Sequence, residues 1–136
     1  MLKNLATILR AAQLYTHAAH NELKGCTFFA DHAFAGDTYD ALESAYDSIV
    51  ERAIGLGEEL NLLELGVKAA NLAKDISLDS QKDIFEQLLE NEESIRDEIE
   101  RANVGASYGT DNLLAQLADD SESRTYKIKQ RLKKEK

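Results

Sequence analysis

Residues 17–51 read HAAHNELKGCTFFADHAFAGDTYDALESAYDSIVE, and the break near the start of this stretch decides the fold. Lys24-Gly25-Cys26-Thr27 interrupts a helix-forming run: Gly25 can take the positive φ of a helix end, and Thr27 can cap the next helix. Upstream, Leu5, Ile8, Leu9, Ala12, Tyr15 and Ala19 recur at spacings of three and four, which predicts an amphipathic helix over residues 3–23. Downstream, Phe28, Ala35, Tyr39, Leu42, Tyr46, Ile49, Val50 and Ala53 form a second stripe over residues 28–54, closed by Gly55-Leu56-Gly57. At the α-helical rise this second helix is about 40 Å long, which is bundle length. The stretch is therefore a long helical hairpin.

The remainder supplies the other half of a bundle. Between 58 and 79, Leu60, Leu62, Leu63, Leu65, Val67 and Leu72 form a small apolar patch interrupted by Gly66. A connection of this length can run back along the bundle with a short helix on the way. Ser80 with Asp83 reads as a capping box, opening a helix with the stripe Ile84, Phe85, Leu88, Ile95, Ile99 and Ala102 and strongly acidic other faces. Gly105 and Gly109 bracket a turn, Thr110 or Asp111 is the expected N-cap, and the last helix carries Leu113, Leu114, Leu117, Thr125, Ile128 and Leu132. Composition agrees: 136 residues with no proline or tryptophan, and rich in Ala, Leu, Glu and Lys, describe one all-α domain over 1–136. Two helices, a long crossover, then two more helices is the connectivity of the ferritin-like four-helix bundle.

No run approaches the length of about 20 apolar residues that spans a bilayer, and the N-terminus lacks the cleavage pattern of a signal peptide. A lone cysteine, Cys26, fits a reducing interior, so the expected address is cytoplasmic. Cys26 itself reads as a buried or half-buried filler. Charge divides the chain: residues 1–123 hold 9 Lys/Arg against 24 Asp/Glu, whereas 124–136 hold 7 against 1. An acidic body with a basic end over 127–136 suits cations and polyanions in different places. The plainer alternative is a solvated helical surface ending in a lysine-rich tail.

The opening stretch holds all three histidines of the chain. His20 lies about a turn before the bend and His32 about a turn into the next helix, so both imidazoles can face one region. Asp47 and Glu51 are four apart on one helical face, about 6 Å from each other. Two imidazoles and two carboxylates suit a divalent transition metal such as iron. However, His32 and Asp47 are fifteen residues apart on one helix, roughly 22 Å. No single metal reaches both within one chain, so a second subunit must supply the carboxylates across a two-fold axis, or no such site exists. Packing histidines and a solvated Asp47-Glu51-Arg52 face are the alternative.

These residues resemble the Dps proteins, the mini-ferritins of starved bacterial cells. The resemblance rests on His20, Lys24-Gly25, Phe28-Phe29, His32, Asp47 and Glu51-Arg52, with His17, Tyr39 and Gly57 in register. It is dense over about forty residues and extends beyond them in helix order and in the GTDNLL start of the last helix. It implies a hollow dodecamer with a ferroxidase centre across each two-fold: His20 and His32 from one subunit, Asp47 and Glu51 from its neighbour. It further implies oxidation of Fe(II), with hydrogen peroxide or oxygen as oxidant, and storage of Fe(III) mineral. Ordinary ferritins build their site inside one bundle from Glu-x-x-His pairs, and this chain contains no Glu-x-x-His. Two positions depart from the Dps pattern. Gly36 stands where an acid is usual, with Asp37 turned about 100° away, and Asn21 replaces a tryptophan. A helix-interior glycine costs about 1 kcal/mol relative to alanine, and the sequence offers no reason for one at 36.

The expected function is a Dps-like ferroxidase and iron store, with Glu93, Asp97, Asp111, Asp119 and Asp120 as candidates to line pores or mineral-nucleating walls. The competing expectation is a shell or DNA-compacting protein with a degenerate iron centre, binding DNA through many copies of its basic end. A helical interaction module without metal is the third.

Overall fold

Helix-forming sequence becomes helix where a cap or a glycine lets it start and stop, and the starts here are chemically distinct. The computed structural model describes residues 1–133, so residues 134–136 of the expected basic end lie outside the described part. Its helices are α1 (Lys3–Glu22), α2 (Phe28–Gly55), α3 (Leu62–Ala73), α4 (Gln81–Ala102) and α5 (Tyr108–Leu132). Asn61 Oδ1 accepts from the Glu64 N–H at 3.1 Å to start α3, and Ser80 Oγ accepts from the Asp83 N–H at 3.1 Å to start α4.

Two expected caps are corrected. Thr27 stands at the N-cap position of α2, but its hydroxyl donates to Asp31 Oδ2 at 2.8 Å instead of capping the backbone. Its oxygen accepts instead from Arg131 Nη2, at 3.2 Å. The cap of α5 is neither Thr110 nor Asp111 but Ser107, which accepts from the Thr110 N–H at 3.4 Å. Thr110 is buried and its Oγ1 accepts from Arg52 Nη1 at 3.3 Å, so it is already committed. Gly109 thus lies in the first turn of α5, and the turn's left-handed residue is Gly105, at φ +73°.

The crossover is tied down at both ends. Glu58 Oε1 accepts from the Leu2 N–H at 3.1 Å, and the Tyr15 hydroxyl donates to the Ser77 carbonyl at 2.8 Å. Residues 58–77 therefore run along α1 for about 20 Å and deliver α4 beside the α1–α2 bend. Burial, and secondly the Asp83 carboxylate, pushes the Tyr15 pKa up to about 12. The apolar patch of the crossover divides on folding: Leu65 and Ala69 pack inward, while Leu62, Leu63, Val67 and Leu72 stay exposed. Gly66 lies inside α3.

The core is split. Leu5, Leu9, Leu42, Tyr46, Ile49, Ile95, Ile99 and Leu114 belong to one buried cluster. Tyr15, Ala19, Leu23, Ala35, Ile84, Phe85, Leu88 and Ile128 belong to another, toward the α1–α2 bend. Between them lies a polar waist built on Glu92, which is 1% exposed. Arg124 donates to both its oxygens, and Ser121 Oγ adds a bond at 2.8 Å. This all-α bundle of four long helices with a short crossover helix matches the architecture expected from the sequence. Among the described residues no helix is long and apolar enough to cross a membrane.

Candidate metal centre

The bend that separates α1 from α2 also assembles the histidines. Leu23 is extended (φ −60°, ψ 142°) and Gly25 turns the chain at φ +92°, a conformation that glycine adopts at little cost. The last turn of α1 and the start of α2 then lie side by side. His20 and His32 stack with ring centroids 3.7 Å apart and planes at 20°.

Their hydrogen bonds are reciprocal. His20 Nδ1 lies 2.9 Å from the His32 carbonyl oxygen, and His32 Nδ1 lies 2.8 Å from the His20 carbonyl oxygen. A carbonyl can only accept, so each Nδ1 carries the proton and donates it. In the neutral rings both Nε2 atoms then keep a free lone pair. This is the arrangement in which a histidine binds a metal: one nitrogen fixed by a backbone acceptor, the other presented. The ring planes lie at 20° to each other, and each ring keeps one nitrogen, Nε2, outside the reciprocal pair of bonds.

Other rings extend the stack. Phe28 covers the far side of His32 with centroids 4.6 Å apart. Tyr39 meets His20 edge-on at 5.3 Å, and His17 stacks on Tyr39 at 4.1 Å. At Gly36, one turn after His32, an added Cβ would fall 3.1 Å from His20 Cε1 and 3.3 Å from its Nδ1. The glycine that the sequence left without a reason is the place where His20 lies against α2.

Below the pair, the first turn of α2 is clamped to the last turn of α5. Arg131 Nε and Nη2 donate to the two oxygens of Asp31, at 2.9 and 2.8 Å, and Nη2 also reaches Thr27 Oγ1 at 3.2 Å. Asp31 is 2% exposed, and the residue after it is His32. The hydrogen bond to Asp31 raises the Arg131 pKa above its ordinary value.

Asp47 and Glu51 are exposed on the second half of α2. The structure brings His20 to His32 but does not bring that pair to Asp47 and Glu51 within the chain. Among the described residues no group of three or more His, Cys, Asp and Glu converges on one metal position. Cys26 is exposed at the bend, contrary to the filler role expected of it, because the chain leaves the bundle surface there. Asp37 is also exposed.

A groove of about 680 Å³ lies elsewhere, between α4 and α5. Glu93, Asp97, Glu100 and Glu122 line it together with Arg96 and Lys129, so its carboxylates are interleaved with cations. Asp120 borders a smaller cleft between α2 and α5, of about 260 Å³, which also takes in Ser44, Ser48 and Arg124. The sequence reading missed the Glu92–Arg124 pair, although the signal was present. Glu92 falls on the α4 stripe between Leu88 and Ile95, and Ser121 falls on the α5 stripe, so each is a polar residue in a core register.

Compared with known proteins, the chain matches the ferritin-like domain over residues 1–136. It is 25% identical over 129 residues to the DNA protection during starvation protein of Helicobacter pylori strain J99, covering 93% of this chain and 90% of that protein.

Proposed function

Because the chain belongs to the ferritin-like family and is Dps-like within it, we propose that it is a ferroxidase and iron-storage subunit that works between paired chains. The Nε2 atoms of His20 and His32 take Fe(II) from one side, and Asp47 and Glu51 of a neighbouring chain close the centre from the other. Two Fe(II) ions each give up one electron, and hydrogen peroxide takes both as its O–O bond breaks, so no hydroxyl radical is released. Oxygen is the alternative oxidant. The Fe(III) product collects inside a hollow homo-oligomer, a dodecamer on the Dps pattern, and the cell is protected from oxidative damage.

The observation that carries this reading is the reciprocal Nδ1–carbonyl bonding of His20 and His32, which leaves the Nε2 of each ring as its remaining donor atom. Subunit pairing is supported by the apolar side chains left outside the bundle. Phe29 is 86% exposed beside the histidines, and Leu63 is 85% exposed on α3. Leu63 belongs to a row on α3 with Leu62, Val67 and Leu72, all exposed, and an exposed apolar row of this kind suits a contact surface. Asp47 and Glu51 supply the hard oxygen donors that iron also accepts.

The test is to add Fe(II) and peroxide and follow iron oxidation in the parent, His32→Ala and Asp47→Ala. We expect both variants to be at least about ten-fold slower, the scale on which losing a metal-site group acts. Equal rates would remove these residues from the centre.

A second reading has its own observation. Lys127, Lys129 and Lys133 are exposed on the last turns of α5 and just beyond, and many copies of such an end bind DNA phosphates through summed weak contacts. The relative's name, DNA protection during starvation protein, fits this. A low-salt gel shift, lost when all three lysines become glutamine, supports the reading, and no shift at any salt rejects it. Deleting the segment is a poorer test, because Ile128 is in the core and Arg131 clamps Asp31.

A further inference from the structure

We infer that Gly36 is a positioning residue: the space left by its missing side chain seats the His20 ring, so an acid placed there displaces a metal ligand instead of adding one. This rests on the reading of His20 and His32 as iron ligands. A Cβ at position 36 would meet His20 Cε1 at 3.1 Å and Nδ1 at 3.3 Å. A contact that tight is relieved only if the His20 ring shifts by a few tenths of an ångström, and its neighbours resist that shift. Its other side is stacked on His32 at 3.7 Å, its Nδ1 is bonded to the His32 carbonyl at 2.9 Å, and Tyr39 closes its edge at 5.3 Å.

The steric conflict begins at Cβ, so it is the same for every residue other than glycine. It does not depend on the chemistry of a carboxylate farther out. Glycine is also the residue that a helix interior tolerates least apart from proline, so local helix stability does not account for it here, whereas the seat does. The consequence is a change in the donor set. This chain contributes two imidazole nitrogens and no carboxylate of its own, and all charged oxygen donors come from the neighbour.

The experiment uses Gly36→Ala and Gly36→Asp in the full assembled protein. Anaerobic Fe(II) titration calorimetry measures affinity, thermal unfolding reports the fold, and a metal-free crystal structure of Gly36→Ala locates the ring. We expect both variants to bind Fe(II) at least about ten-fold more weakly. We expect the unfolding temperature of Gly36→Ala to be no lower than the parent's, and its His20 ring to be shifted from its parental position against His32. Tighter Fe(II) binding by Gly36→Asp, or an undisturbed stack with parental affinity in Gly36→Ala, would overturn the inference. If the parent itself binds no Fe(II), the iron reading falls, and the crystal structure of Gly36→Ala still decides whether the glycine seats the ring.

Discussion

Arg124 holds both carboxylate oxygens of Glu92, at 2.8 and 3.0 Å, in the middle of the bundle. Ordinary ferritins place their metal inside the bundle, whereas here an ion pair occupies the polar waist. Breaking one side of a buried pair leaves an uncompensated charge. We therefore expect Arg124→Ala to lose about 3–5 kcal/mol of stability. Replacing both residues by leucine should be neutral or stabilising. Urea unfolding at fixed protein concentration measures both variants, and equal losses in the two would show that packing, not charge, governs the waist.

An intersubunit centre has a signature that a single-chain centre lacks. His32→Ala and Asp47→Ala are each expected to be inactive alone. In a hybrid pair, one of the two centres draws His32 from one chain and Asp47 from the other, and both are intact. Unfolding and reassembling an equimolar mixture should therefore restore about a quarter of the parental centres, given random pairing across a two-fold. No recovery in a mixture shown to contain hybrids would mean that His32 and Asp47 do not share a centre across the two-fold.

Tyr15 links stability to alkaline pH. Its folded pKa is raised to about 12 by burial, with Asp83 second. A phenol that holds its proton more tightly when folded contributes stability that is complete below about pH 10 and is lost as pH rises toward about 12. Denaturation across that window should show a falling stability. Tyr15→Phe should remove most of this slope and, because it also loses the bond to Ser77, cost about 1 kcal/mol at neutral pH. An unchanged slope in the phenylalanine variant would rule Tyr15 out as its source.

The clamp between Arg131 and Asp31 predicts a local effect. Arg131→Ala leaves a carboxylate that is 2% exposed with only Thr27 as side-chain partner among the described residues. Amide exchange should accelerate in the last turn of α5 and the first turns of α2, including His32, and stay near parental values around Ile49 and Ile99. Uniform acceleration along the chain would mean that the clamp supports global stability instead.

Much of this is legible in sequence. The apolar stripes of α1, α2, α4 and α5 follow the helical period, so the period alone names their core residues. His20 and His32 lie at similar distances from one bend, which is enough to bring the two imidazoles together. The separation of His32 from Asp47 already requires two chains for any shared centre. Other features depend on atoms that no spacing rule reaches. Which residue caps α5 turns on Thr110 being committed to Arg52. The proton positions on the two imidazoles are set by carbonyls across the bend. Gly36 makes sense only once the His20 ring is placed against it. Glu92 is a different kind of miss, since a carboxylate on an apolar stripe marks a buried pair by its register alone.

The divided core has one more consequence. His20 and His32 are mounted beside Ala19 and Ala35, in the cluster near the bend, whereas Asp47 and Glu51 stand beside Tyr46, Ile49 and Val50 in the other. On the proposed intersubunit reading, the two half-centres of one chain thus rest on separate foundations, with the Glu92 waist between them. Oxidative damage that loosens one end need not spoil the other, and a chain crippled at its histidines can still lend its carboxylates to a sound neighbour. In an assembly of the proposed kind, injury would be confined to half a chain at a time.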